Sequence, residues 1–189
     1  MDNRYLLYID ILGFSELVEK DITQIDDLYT VIASLNVHEH DAFKTIVFSD
    51  TILVYNLYGF ESHYDEHYII MFLCEFAKDL QHKLTERGIF FRAVIMRGNF
   101  KYYELNSVPC FFGTALIDAY KAEKQIKAIG LFIDKSIENN SVIFKTRHYN
   151  GNFSFVFITQ SLNEIEYMYE GHFPIPANIL EGRVDAACG

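Results

Sequence analysis

Between Tyr5 and Leu12 every side chain is apolar or aromatic except one, Asp10. A run of that length, closed by Gly13, reads as a buried strand, and an unpaired charge inside such a strand is expensive. A second acid repeats the pattern. Residues 43–58 are rich in strand formers but are broken by Ser49, Asp50 and Thr51, which predicts a hairpin with Asp50 at or beside its turn. Taken singly, Asp10 reads equally well as a strand end and Asp50 as a turn former. If the first strand lies beside the hairpin, however, the two carboxylates share one edge of a sheet. There they suit one or two Mg²⁺ ions, which take oxygen ligands. Such ions polarise a phosphate and lower the pKa of an attacking hydroxyl.

The remaining periodicity completes a mixed fold. Residues 15–35 carry apolar side chains at helical spacing, and residues 68–87 form a stronger amphipathic pattern closed by Gly88. Residues 90–103 read as a long strand bent at Gly98, and residues 104–112, with Pro109, as an irregular arm. A helix is expected from Gly113 through Ala128, then strands over 129–134, 142–147 and 153–158. The order β-α-ββ-α-β-α-β is that of an α+β protein with helices packed on a mostly antiparallel sheet.

The chain has 189 residues, half of them hydrophobic, with 17 Phe and 13 Tyr but no Trp. That is material for one core, expected over residues 1–180 with a weakly structured end at 181–189. A net charge of −10 argues against a general nucleic-acid binder without excluding a triphosphate ligand. No apolar run approaches the roughly 18 residues of a membrane span, and no basic leader precedes a cleavage pattern. Cys74, Cys110 and Cys188 are odd in number and scattered, which suits a reducing cytoplasm.

Directly after Asp10, the strand passes through Gly13 into a helix, and the amides at Gly13, Phe14 and Ser15 are placed to bind a phosphate. The run Asp10, Ile11, Leu12, Gly13, Phe14, Ser15 resembles the first metal-binding motif of class III adenylate and guanylate cyclases. Phe48, Ser49, Asp50 and Thr51 resemble their second metal-binding hairpin. Arg97 and Gly98 match their next strand motif, and Phe112, Gly113, Thr114, Ala115 and Leu116 resemble the turn into their catalytic helix. The resemblance implies a ferredoxin-like, palm-type core in which a ribose 3′-hydroxyl attacks the α-phosphate and pyrophosphate leaves. It implies that Asp10, Asp50 and the carbonyl of Ile11 hold two Mg²⁺ or Mn²⁺ ions. Gly13, Phe14 and Ser15 would bind phosphates. Arg97 and Lys101, flanking Gly98 at the strand bend, read equally well as triphosphate contacts and as exposed strand-end charges. The resemblance further implies a homodimer with its sites at the interface.

The departures point to a different base. Purine cyclases carry an Asn and an Arg on the catalytic helix, where this sequence has Ile117 and Lys121. Lys121 keeps the charge without the guanidinium fork. The purine-reading Lys and Asp fall at Ile46 and Cys110, which cannot make those contacts. Gly113, Ala115, Ala119, Tyr120 and Glu123 instead fit a pattern similar to the pyrimidine cyclases of bacterial Pycsar antiphage systems. That resemblance implies UTP or CTP as substrate, with UTP and its product cyclic UMP favoured, and a separate effector that responds to the product during phage infection. A cytidylate cyclase and a catalytically inactive nucleotide sensor are the alternatives. A diguanylate-cyclase relative is disfavoured because the Gly-Gly-Asp/Glu-Glu-Phe turn is absent.

Other signals are set aside. His63, Glu66 and His67 match the H-x-x-E-H pattern of zinc proteases, but the segment is expected in the connection before the second helix. His38, Glu39 and His40 read as a polar loop. Arg92 reads as a strand residue paired with an acidic neighbour.

Overall fold

Strand β1 (Asp2–Ile11) is buried on both faces, which places it in the middle of a sheet and explains its unbroken apolar run. It pairs antiparallel with β3 (Thr51–Asn56) on one side and β4 (Phe91–Leu105) on the other. β2 (Phe43–Phe48) completes the hairpin with β3. β6 (Gly130–Asp134) joins β4 as the parallel pair, and β8 (Phe153–Val156) and β7 (Thr146–His148) follow antiparallel. The sheet order is β2-β3-β1-β4-β6-β8-β7. The computed structural model describes residues 2–35 and 40–159, and within it residues up to Ile158 form one compact unit. The expected domain boundary near residue 180 and the end at 181–189 lie outside the described residues.

Alternation along β1 separates two cores. Tyr5, Leu7, Ile9 and Ile11 face α1 (Phe14–Lys20), α2 (Ile22–Ala33) and α3 (His63–Thr85), which cover one side of the sheet. Leu6 and Tyr8 face α4 (Thr114–Gln125), whose small Ala115, Ala119 and Ala122 let the helix lie close to β1 and β4. Asp10 continues the α4-facing series.

Several elements differ from the sequence expectation. The helix expected over 15–35 is two helices, because Asp21 adopts an extended backbone and its carboxylate caps α2 by accepting from the Thr23 amide. The expected irregular arm is a hairpin: β5 (Val108–Phe112) pairs with the far end of β4 across Asn106 and Ser107, both at positive φ. Residues 142–147 yield only β7 at their end, preceded by a 3-10 helix, Lys135–Asn140.

The arm and α4 meet where β4 bends. The Thr114 hydroxyl accepts from the Asn99 amide at 3.1 Å, and a Cβ on Gly113 would sit 2.0 Å from the Asn99 carbonyl oxygen. Only glycine fits there. Gly113→Ala is expected to cost about 3 kcal/mol, read as a thermal midpoint lower by about 10 °C. Gly59→Ala, at a position with open space around it, serves as the control and should leave the midpoint unchanged.

Candidate active site

The end of β1 is held from both sides by backbone. The Ile11 amide donates to the Asp50 carbonyl at 2.9 Å, and the Leu12 amide donates to the Phe90 carbonyl at 2.9 Å. Ser49 and Asp50 form the two-residue turn between β2 and β3, with Ser49 at φ 54°. The two sequence-predicted acids are thus brought together: Asp10 lies opposite Thr51 in the ladder, one residue beyond the Asp50 turn. Among the described residues, no side chain hydrogen-bonds either carboxylate.

The surroundings of Asp10 are acidic and partly dry. Burial pushes its carboxyl up, the Glu123 and Asp50 charges push it further, and Arg92 and Lys124 oppose; the result is a pKa of about 6. Two carboxylates at a strand end, neither hydrogen-bonded by a described side chain and Asp10 in an acidic field, form a donor set that a hard divalent cation would relieve, with the Ile11 carbonyl as a neutral oxygen beside them. Among the described residues, no cluster of three or more His, Cys, Asp and Glu side chains is placed to hold a metal. Any ion here rests on the two acids, backbone oxygen, and the oxygens of a substrate or water.

Glu123 is the residue whose part at this site the sequence left open. It lies on the sheet-facing side of α4, only 4% exposed, and pairs with Nη1 of Arg92. Arg92 Nε also donates to the Ala128 carbonyl at 3.4 Å. The expectation that Arg92 pairs with an acid holds, and its partner is Glu123. An acid among the apolar positions of α4 was the available signal.

The other expected site residues distribute unevenly. Gly13 takes a left-handed conformation, φ 74°, and α1 starts at Phe14 with no side chain capping it. The Phe14 side chain is buried in the core, so only its backbone is available to a phosphate, while Ser15 is exposed. Lys121 stands on the exposed side of α4 near Ile117 and Tyr120, and lines a cavity of about 390 Å³ with Asp118, Gln125, Asp134 and Lys135. Arg97 is not brought to the acids. It belongs to the opposite face of β4, ion-paired with buried Glu66 at 2.8 Å and set over the Phe60 ring. Lys101 lies further along β4, over Tyr103 of the arm. Ile46 is half-buried on the α4 side of β2, and Cys110 sits in the arm opposite Tyr103. On the same side of β2, Lys44 reaches over the Tyr102 ring at 3.7 Å.

The H-x-x-E-H segment is helical, contrary to expectation. Ser62 and Asp65 form a capping box that starts α3 at His63. Glu66 there is already engaged, by the Tyr5 hydroxyl at 2.9 Å, Arg97 and His63. Cys74 is buried and free, with burial pushing its thiol up. No helix among the described residues is long and apolar enough to cross a membrane.

No protein-family model matches the sequence. No curated protein matches it either. Solved structures do. The monomeric guanylyl cyclase domain of the RhoGC fusion protein from the aquatic fungus Blastocladiella emersonii aligns over 82% of this chain and 94% of its own, at 15% identity and a TM-score of 0.61. The dimeric guanylyl cyclase domain of the same fusion protein gives 0.59 at 15% identity, over 82% of this chain and 95% of its own. The adenylyl cyclase CyaB from P. aeruginosa gives 0.57 at 12% identity, over 82% and 93%. The chain has the class III cyclase fold. At such identities the likeness concerns the fold, and the chemistry is argued from the residues.

The raised Asp10 has a thermodynamic consequence. Folded protein holds this proton more tightly than unfolded chain, so stability falls as pH rises from about 4 through about 6, and the cost is complete above that. In chelator-treated protein at pH 7.5, Asp10→Asn is expected to stabilise by about 1–2 kcal/mol. The gain should vanish near pH 4. Thermal melts at the two pH values check it.

Proposed function

We propose that the protein is a metal-dependent pyrimidine nucleotide cyclase that converts UTP to 3′,5′-cyclic UMP and pyrophosphate. The observation that carries the reading is the unpartnered Asp10 carboxylate beside the Asp50 turn, at the end of the central strand of a cyclase fold. Asp10, Asp50 and the Ile11 carbonyl would hold two Mg²⁺ or Mn²⁺ ions. Those ions, when bound, supply Lewis-acid polarisation of the phosphates and a more acidic 3′-hydroxyl.

This chain's own groups do the rest. The uncapped start of α1 at Gly13, Phe14 and Ser15 offers amides to the phosphate oxygens. The 3′-hydroxyl gives its proton to solvent, its oxygen forms a bond to the α-phosphorus, and the bond from that phosphorus to the β-phosphate oxygen breaks, releasing pyrophosphate. Lys121, exposed on α4, meets the developing charge as a point cation. It lines a cavity other than the Asp10 edge, so it is assigned to a site completed by a second copy, which makes the working form a homodimer. Arg97 is omitted from the substrate contacts because Glu66 already binds it on the opposite face.

The base assignment rests on side chains that lack purine-reading groups. Ile46, Cys110 and Ile117 offer no amide or carboxylate to an adenine or guanine. We assign cyclic UMP a signalling role in antiphage defence, with a separate effector downstream and a cytoplasmic site of action.

Incubation with ATP, GTP, CTP and UTP and Mn²⁺ or Mg²⁺, with products resolved by mass, tests the reading. Cyclic UMP is the expected product. Cyclic CMP would move the base assignment within the pyrimidines, and a cyclic purine would overturn it. Absence of product from every triphosphate would favour a nucleotide-binding sensor. Asp50→Ala is expected to lower turnover at least 1,000-fold, as losing a ligand of the catalytic metal does, with circular dichroism unchanged. Retained turnover would remove Asp50 from the metal site.

A further inference from the structure

Arg92 is the Cα partner of Asp10 in the β1–β4 ladder, and both side chains belong to the α4 side of the sheet. Oppositely charged residues placed in that way ordinarily pair with each other across the strands. These two do not. Nη1 of Arg92 goes to Glu123, Nε turns to the Ala128 carbonyl, and the Asp10 carboxylate is left without a hydrogen bond. Glu123 is buried on α4 and also lies 3.6 Å from Lys124 Nζ.

We infer that Glu123 is a positioning residue that withholds Arg92 from Asp10, keeping that carboxylate open for a divalent cation. The inference rests on the metal site proposed above and adds a residue that does not itself bind the ion. Around Asp10 stand Asp50, Glu123, Arg92 and Lys124, three acids against two bases when Asp10 is counted. Without the Glu123 charge, Arg92 has one remaining carboxylate directly across the ladder, and the field at the site becomes neutral. A cation would then have to displace a guanidinium before binding. With both Arg92 and Glu123 neutral, the original balance returns and no guanidinium competes.

The test is a double-mutant cycle read by Mn²⁺ titration calorimetry on the full chain without nucleotide, using wild type, Glu123→Gln, Arg92→Met and the pair together. Asp10→Asn serves as the site control. Expected are affinity about tenfold weaker in Glu123→Gln, no more than about twofold tighter in Arg92→Met, and within about twofold of wild type in the double variant, so that Glu123→Gln costs far less once Arg92 is gone. A purely structural role for Glu123 would not be rescued by removing Arg92. Should Glu123→Gln fail to fold by circular dichroism, Arg92→Met against the double variant decides the matter. A difference of no more than about twofold supports the inference, and a double variant about tenfold weaker than Arg92→Met overturns it. Wild-type affinity in a folded Glu123→Gln, with binding lost in Asp10→Asn, would overturn this inference while leaving the metal site intact. Absence of Mn²⁺ binding in wild type would overturn the metal site and this inference together.

Discussion

A carboxylate at the end of a doubly buried central strand, with no partner of its own, is the constraint around which this molecule is arranged. Asp10 cannot retreat, because the two amides that follow it are bonded to the β2–β3 turn and to the residue preceding β4. Its ladder partner Arg92 offsets the charge only in part, because the guanidinium pairs with Glu123. The cost of that arrangement is met by the cores on the two faces of the sheet, which fix β1 regardless of the charge at its end.

The two faces divide the labour. α1, α2 and α3 seal one side of the sheet with large aliphatic and aromatic side chains. On the other side α4 is the one helix among the described residues, and that face carries Asp10, Arg92 and Glu123 at its edge. Apolar side chains remain exposed around it, among them Phe48 at the hairpin end and Ile117 and Tyr120 on α4. In the proposed homodimer that face meets its counterpart, and Lys121 reaches a site whose acids belong to the other protomer. The start of α4 is joined to β4 where the arm begins, through the close approach at Gly113 and the hydrogen bond to Thr114.

Much of this was legible from residue order because burial writes itself into pattern. The apolar run from Tyr5 to Leu12 indicated a buried strand, which the structure places inside the sheet, and Asp10 was legible as the one charge within it. Asp50 was legible as a turn residue, and the structure sets it beside Asp10. Other features were hidden because they depend on one side chain overriding a periodic signal. Asp21 splits a continuous helical pattern by capping, and Asn106 and Ser107 fold an apparently irregular arm by taking positive φ without glycine. Arg97 matched a motif by spacing yet faces away, because strand alternation sends it to Glu66. What Glu123 holds could not be read at all without knowing which face of α4 meets β4.

Anomalous diffraction from crystals grown with Mn²⁺ and a non-hydrolysable UTP analogue bears most directly on the central claim. Two anomalous peaks beside Asp10, Asp50 and the Ile11 carbonyl, with the triphosphate at the start of α1, are the predicted result. Peaks at another donor set such as His63 and His67, or nucleotide bound with no metal at Asp10, would contradict it.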